Sequence, residues 1–569
     1  MQFFGDHNML VRRLPGDLFP VPLKTTLRIG WILLCLTLAL TARCWNLRDV
    51  FLEGQIYFAD ADCYSRMTRA RIVDRDPGTI VRHHDFENWP QGIAPHTTAP
   101  LDYLIVGLKR GLDVCFALFD RQQTSILRTQ TLDLAGALIS PLLGVASALV
   151  LALGLWRLRV RYWEVALLLF AVSPILVHGT LLGRPDHQAL LIFLLLVALL
   201  AELALVGSEG VEVRRMTWAM IGAGAWGLSA WVSLYEPLVL LVVVLGYWLV
   251  AARAALRSAE RLRGFAVFAG IMGVAFALEG WRFAAPDSAM RAYFTNWQQT
   301  IGELTHVSPF SPIIAGWMGL LPYAAPVLLF LAARRDRRAT LLLVLFVAMF
   351  ALTIWHARWG YFLALVFVAA APWLMQAWRR PWMAWLAFVI SLWPIAADWD
   401  ARLFPDEDNE RRQYVLRKEQ VALRSIAQVQ RQRVAGPFVA PWWLSPPLAY
   451  WSELPGVAGS SHESLPGIVD TAKIYLATAP EEAASLLRAR GVAWILSDAP
   501  DRVVPTSAVL LGVPEPRQGL AYELAAYPED PLRLSPIIPE LEIPRALGKE
   551  FFQVWRVELP AEPGRVPAQ

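Results

Sequence analysis

Carboxylates at the ends of long apolar runs are the residues in this chain best equipped to do chemistry. Asp60 and Asp62 sit two apart in FADADCYSRMTRARIV, Asp186 sits in GRPDHQ, and Glu303 sits in TIGEL. A carboxylate can accept hydrogen bonds from a substrate, move a proton, or act as a hard oxygen ligand, and several gathered at one place would suit Mg²⁺ or Mn²⁺. Singly, each could be a solvated boundary group, and Asp186, just ahead of an apolar run, could be a helix cap. Their convergence is what would make a site. His83, His84, His96 and His187 offer imidazoles, but their spacing fits no usual zinc motif, so zinc is not expected. Cys35, Cys44, Cys63 and Cys115 contain no C-x-x-C pair and allow at most one bridge in an oxidising compartment.

The elements that would position these groups are membrane spans. Of 569 residues, 56% are hydrophobic and only 18% charged, against about 25% charged in ordinary soluble chains. Apolar runs lie near 28–45, 130–155, 161–178, 187–206, 217–233, 237–252, 264–281, 312–333, 339–355, 359–377 and 382–397. The reading is about eleven transmembrane helices, each run long enough to span a bilayer, which takes roughly 20 residues, and helix is the form that satisfies their backbone in lipid. The first run follows Arg12, Arg13, Lys24 and Arg28 and lacks a clean small-x-small cleavage site, so it reads as an uncleaved anchor. The stretch 101–119 is interrupted by Lys109, Arg110 and Asp113 and reads as an amphipathic helix on the outer surface.

With the N-terminus in the cytoplasm, every inner loop is basic: Arg157, Arg159 and Arg161; Arg214 and Arg215; Arg253, Arg257, Arg261 and Arg263; Arg334, Arg335, Arg337 and Arg338; Arg379 and Arg380. The outer side then receives loops 46–129, 179–187 and 282–311 and the whole tail after 398. All four carboxylates fall outside. The reading is therefore a polytopic helical membrane domain over 1–397 and an extracytoplasmic mixed α/β domain over 398–569, the latter from alternations such as PEEAASLLRARG followed by VAWILSD. The net charge of +4, with arginines in short clusters, argues against a nucleic-acid partner.

The chain resembles the catalytic subunit of oligosaccharyltransferases, glycosyltransferases of the GT-C type that move a glycan from a lipid pyrophosphate to asparagine. Four stretches carry the resemblance, in order: Asp62 to Arg69 (DCYSRMTR), like the first acidic motif; Asn88 to Gly92 (NWPQG), like an N-aromatic-P-x-G turn; Arg184 to Gln188 (RPDHQ), like the second acidic motif; and Thr300 to Glu303 (TIGE), like the bacterial T-I-x-E motif. The resemblance implies that Asp62 and Glu303 engage the acceptor amide, and that Asp62, Asp186 and Gln188 hold the Mg²⁺ or Mn²⁺. It also implies that Arg358 in HARWGYF contacts the carrier's pyrophosphate. Gln188 departs from the family's Asp, Glu or His, and His187 would point elsewhere on a regular helix. Asp60 lies outside the best register.

In the tail, Pro441-Trp442-Trp443-Leu444-Ser445 stands where the family has W-W-D-Y-G, a motif that binds the hydroxyl two residues after the acceptor asparagine. Trp442 and Trp443 are kept. Leu444 replaces the aspartate, leaving Ser445 as the nearest polar substitute. The implied partners are a polyprenyl-pyrophosphate oligosaccharide, an acceptor polypeptide and the bilayer. The implied setting is a single subunit in a bacterial inner membrane with its C-terminal domain in the periplasm. A GT-C enzyme using a polyprenyl-phosphate sugar with a lipid, glycan or hydroxyl acceptor is the nearest alternative. A lipid-linked glycan transporter is a second, and spans that are mostly charge-free, Glu279 being the main exception, weigh against it.

Overall fold

In a computed structural model the described residues are 23–96, 99–119, 130–207, 212–280, 288–433, 436–526, 534–536 and 551–558. Arg12 and Arg13 lie outside them. Every apolar run named above is helical. Seven helices among the described residues are long and apolar enough to cross a membrane: Thr26–Arg43, Thr131–Arg157, His187–Gly207, Ala259–Glu279, Arg337–Trp355, Ala357–Gln376 and Pro381–Leu403. Pro312–Met318 and Leu321–Ala333, bent by 68° at their junction, make an eighth if taken as one span.

That count is lower than the about eleven runs long enough to suggest spans. The run at 161–178 is cut: Trp163–Val172 has ten residues, and Pro174, which cannot donate to the preceding turn, opens a separate short helix. Tyr235–Ala251 has only 17 residues. Glu212–Val232 is long, but its charged first turn and its Gly, Ser and Trp content hold its hydropathy down. The stretch expected on the surface is the helix Ala99–Phe119, not one of the candidate spans; Lys109 pairs with Asp74 and Asp113, both at 3.2 Å. All four cysteines are unpaired.

Outside the spans, a small antiparallel hairpin of β1 (Phe51–Leu52) and β2 (Gln55–Ile56) leads into the helix Ala61–Arg75. Past the last span, the long helix Glu407–Arg433 precedes a four-stranded sheet ordered β3 (Phe438–Val439), β4 (Trp494–Ser497), β6 (Gln553–Val557), β5 (Leu534–Pro536). β3 and β4 are parallel, and the other pairs antiparallel. The helices Ser445–Ser452, Leu465–Leu476, Pro480–Ala489 and Pro500–Leu511 accompany it. One apolar core runs from Cys35 on the first span through Tyr64 and Phe362 to Tyr450 and Trp494, so the outer layers are seated directly on the bundle.

Two anchors hold the segment that leads to Asp186. The fully buried Arg43 donates to the carbonyls of Ala39 (3.0 Å) and Phe170 (3.3 Å) and to Thr180 Oγ1 (2.8 Å), and its own carbonyl accepts from Leu182 N at 2.9 Å. Asn46 Nδ2 donates to Leu182 O at 3.0 Å. Gly183 follows at φ +73°, where a Cβ would lie 2.7 Å from Val50 Cγ2. Only glycine fits that close approach without strain.

Candidate active site

Asp60 caps the helix Ala61–Arg75, its Oδ1 accepting from Cys63 N at 3.0 Å. Asp62 lies in that helix's first turn, where the positive end of the helix dipole favours a carboxylate. The Ser460 hydroxyl bonds to it. Burial, with the like charges of Asp60 and Asp186 nearby, pushes the Asp62 carboxyl up to about 8.

Asp186 stands immediately before its helix, which begins at His187. Its Oδ1 accepts from His187 N at 2.6 Å and from His187 Nδ1 at 2.5 Å. The expectation that His187 points elsewhere assumed regular helical spacing from Asp186, and Asp186 is not on the helix. His187 Nε2 instead meets Arg358 Nη2 at 3.1 Å, so the imidazole joins the carboxylate to the arginine.

Glu303 occupies the short 3₁₀ turn Gly302–Leu304. The turn is tied to the end of a span: Ala357 N donates to Thr305 O at 3.0 Å and Val307 N to Ile354 O at 3.1 Å. The Glu303 carboxylate receives Tyr361 Oη (3.2 Å) and Gln188 Nε2 (3.2 Å). Its third partner is Arg184 Nη2 at 3.0 Å.

Arg184 is the hub. Its buried guanidinium also pairs with Asp60 Oδ2 (3.3 Å) and Asp186 Oδ2 (3.7 Å), and Nη1 reaches Tyr361 Oη at 3.2 Å. Asp60 is thus part of the cluster through Arg184, although its register set it aside. Asp60, Asp62, Asp186 and Glu303, from three segments remote in sequence, meet here. Arg184 stood in a recognised motif without an assigned role. Its signal was an arginine two residues before Asp186, just ahead of an apolar run. Tyr361, three residues after Arg358, and Glu236, at the start of a helix, were missed for the same reason: their partners are remote in sequence.

Arg358 lies on the 3₁₀ turn Ala357–Trp359. Nη2 pairs with Glu236 Oε1 at 2.6 Å, Glu236 itself accepts from Ser233 Oγ at 2.7 Å, and Arg358 Nε is buried without a hydrogen-bond partner. The guanidinium is therefore fixed in place with donor capacity to spare.

The residues fit a divalent cation. Four carboxylates face one another, and Arg184 compensates only part of their charge. Gln188 Oε1 is buried with no partner, while its Nε2 is spent on Glu303. An orphaned carbonyl oxygen two residues after Asp186, on a side chain already bonded to Glu303, is an available hard ligand.

Trp442 and Trp443 meet edge-to-face at 5.6 Å, and Trp442 meets Trp297 at 5.9 Å. Trp297 is on the helix Arg291–Gln298, just ahead of Thr300-Ile301-Gly302-Glu303. The loop carrying Glu303 is thereby seated on the Trp442 indole, which Trp443 backs. Ser445 is not placed to serve a peptide: it is 1% exposed, and its hydroxyl donates to Ala458 O at 2.6 Å. The N-W-P-Q-G turn does not enter the carboxylate cluster. It docks on the C-terminal layer, where Arg490 Nη1 donates to Asn88 Oδ1 (3.2 Å) and Trp89 O (2.8 Å).

No protein-family model and no curated protein sequence matches the chain. Solved structures do. The Archaeoglobus fulgidus oligosaccharyltransferase tethered to an acceptor peptide with the NVT sequon aligns over 86% of this chain and 71% of its own, at 14% identity and TM-score 0.63. The chain has the fold of a GT-C glycosyltransferase. The A. fulgidus enzyme in complex with Zn and sulfate aligns over 85% and 70%, at 14% identity and TM-score 0.57. ArnT from Cupriavidus metallidurans bound to undecaprenyl phosphate aligns over 94% and 97%, at 14% identity and TM-score 0.52. The GT-C likeness thus extends over the spans and the C-terminal layer alike.

Proposed function

We propose that this GT-C chain transfers an oligosaccharide from a polyprenyl-pyrophosphate carrier to an asparagine side chain of protein, on the outer face of a bacterial inner membrane. Residues 1–397 form the membrane-spanning catalytic part and residues 398–569 the periplasmic α/β part, acting as a single subunit. The observation that carries this reading is the meeting of Asp60, Asp186 and Glu303 around Arg184, with Asp62 close enough to feel the charge of all three carboxylates, beside an Arg358 with an unused donor.

An amide nitrogen is a poor nucleophile because its lone pair is delocalised into the carbonyl. Asp62 and Glu303, accepting hydrogen bonds from the two amide N–H groups, weaken that conjugation and aim the nitrogen at the anomeric carbon. As the new C–N bond forms, the C1–O bond to pyrophosphate breaks, one amide proton passes to the Glu303 carboxylate that holds it, and Arg358 meets the charge that develops on the leaving group. Asp62, Asp186 and Gln188 would hold Mg²⁺ or Mn²⁺, which when bound would supply Lewis acidity and the positive charge that keeps the buried Asp62 ionised and able to accept. Tyr361, Gln188 and Arg184 keep Glu303 oriented. Trp442, Trp443 and Trp297 form the apolar wall for the acceptor, a role that Ser445, being buried, does not share.

A second reading has one observation in its favour. Leu444 cannot accept a hydrogen bond from an acceptor hydroxyl, and the likeness to ArnT spans nearly both chains. On that reading the donor is a polyprenyl-phosphate sugar and the acceptor a lipid, glycan or protein hydroxyl.

The test compares an N-x-T peptide with its N-x-A counterpart at limiting concentration, with lipid-linked oligosaccharide as donor. The family's hydroxyl contact is worth about 10- to 150-fold in selectivity, and without it the two peptides are expected to react within about tenfold of each other. A preference of about a thousandfold for N-x-T would mean that another group reads the hydroxyl. Consumption of lipid-linked sugar with neither peptide modified would favour the second reading.

A further inference from the structure

A second cluster of ligand-type side chains lies apart from the carboxylate site. His96, in the first outer loop, meets His462 and Glu463, from the C-terminal layer, 367 positions away in sequence. One ligand atom from each falls within 4.8 Å of the others. Glu463 Oε1 accepts from His96 N and faces His96 Nδ1, both at 2.6 Å, and His462 Nδ1 stands 3.5 Å from Oε2. The two imidazole rings are 4.6 Å apart at an angle of 45°. Glu463 Oε2 is buried and has no hydrogen-bond partner. A buried carboxylate oxygen that makes no hydrogen bond, with an imidazole nitrogen 3.5 Å away, keeps lone pairs open to a cation held between the two rings.

We propose that His96, His462 and Glu463 form a transition-metal site of the zinc class. Two imidazoles and one carboxylate match a borderline-soft ion and are a poor set for Mg²⁺, which takes oxygen ligands almost exclusively. The His and Glu side chains remain 17%, 17% and 7% exposed, which leaves room for water at a fourth position, as in three-ligand zinc sites. None of the three belongs to the carboxylate cluster. Sequence spacing could not reveal the site, because its ligands come from two loops joined only by the fold.

The site would act as a clamp. Ser460, two residues before His462, bonds to Asp62 and to Ser65 Oγ (3.1 Å), and its backbone N donates to Glu87 Oε2 (3.3 Å). A metal holding His96 to His462 and Glu463 fastens the first outer loop to the C-terminal layer directly beside Asp62.

The test uses the full chain, purified in detergent, stripped with chelator and re-equilibrated with ZnCl₂. Zinc content per chain and the melting temperature are read. The wild type is expected to retain zinc and to melt higher with it. His96→Ala and His462→Ala are each expected to bind at this site more than about 100-fold more weakly, a larger loss than changes outside the first ligand shell produce. Asp186→Asn is expected to keep this zinc. Wild-type protein that binds none, or both His variants retaining zinc at the wild-type level, would overturn the site and leave a hydrogen-bonded latch. Should the alanine variants fail to fold, Glu463→Gln and the visible spectrum of Co²⁺-loaded wild type decide. Low-coordinate, nitrogen-ligated bands lost in Glu463→Gln support the site, and a six-coordinate aqua-like spectrum refutes it.

Discussion

Arg184 bears the heaviest geometric responsibility in the carboxylate cluster, and replacing it is the sharpest perturbation. Its guanidinium reaches Glu303 at 3.0 Å, Asp60 at 3.3 Å and Asp186 at 3.7 Å from a side chain only 5% exposed. In Arg184→Gln the side chain is shorter and uncharged. Glu303 then loses its one charged donor, worth about 1.5–3 kcal/mol, and keeps Tyr361 and Gln188. Three carboxylates also lose the cation between them and move apart. A displacement of about 1 Å in a catalytic group costs about 10²-fold in rate. Together these put the fall in kcat at about 10²- to 10³-fold, or about 3–4 kcal/mol. Because Arg358 and Glu236 are untouched, KM for the lipid carrier should stay within about threefold. Arg184→Lys keeps the charge but not the fork. One ammonium cannot bridge Asp60 Oδ2 and Glu303 Oε1 together, so at least about tenfold should still be lost. The assay is glycan transfer from a lipid-linked donor, on variants that elute as the wild type does. If Arg184→Gln keeps more than a third of the wild-type kcat, Arg184 does not organise the site.

Ala in place of Asp62, Asp186 or Glu303 should cost at least about 10²-fold in turnover, and prolonged EDTA treatment should abolish transfer until a divalent ion is restored; activity unaffected by EDTA would remove the metal from the mechanism. His84 is buried with neither ring nitrogen hydrogen-bonded, and burial, helped by the nearby Arg69 and His83, lowers it from the ordinary 6.5 to about 3. Between those values the unfolded chain takes up a proton that the folded chain refuses, so stability is fully present above pH 6.5 and declines as pH falls toward 3; the melting temperature of His84→Leu should fall less than that of wild type between pH 7 and pH 5. For topology, Arg412→Cys in a background lacking the exposed Cys115 should react with an impermeant thiol reagent in intact spheroplasts, and labelling only after lysis would reverse the orientation.

Sequence alone carried the helical, membrane-type character of this chain, because lipid leaves a backbone no alternative to internal hydrogen bonding and apolar runs announce themselves by composition. It also carried the three acidic motifs, since each is local: a few residues at fixed spacing beside a helix end. It could not count spans reliably, because a break such as that at Pro174 or the 68° bend after Met318 is a matter of local geometry within an otherwise apolar run. Nor could it give Arg184, Tyr361 or Glu236 their places, because their partners lie up to 177 positions away and contact is decided by packing. His187 shows the difference most plainly. Helical periodicity turned it away from the site, whereas the real helix starts one residue later than that argument needs, and the ring bridges Asp186 and Arg358. Ser445, polar and well placed in the chain, is buried under the C-terminal layer, and His96, unremarkable among four scattered histidines, finds His462 and Glu463 across it. Residue type and local spacing fix what each group is able to do; the burial of a common core across remote segments fixes which groups meet.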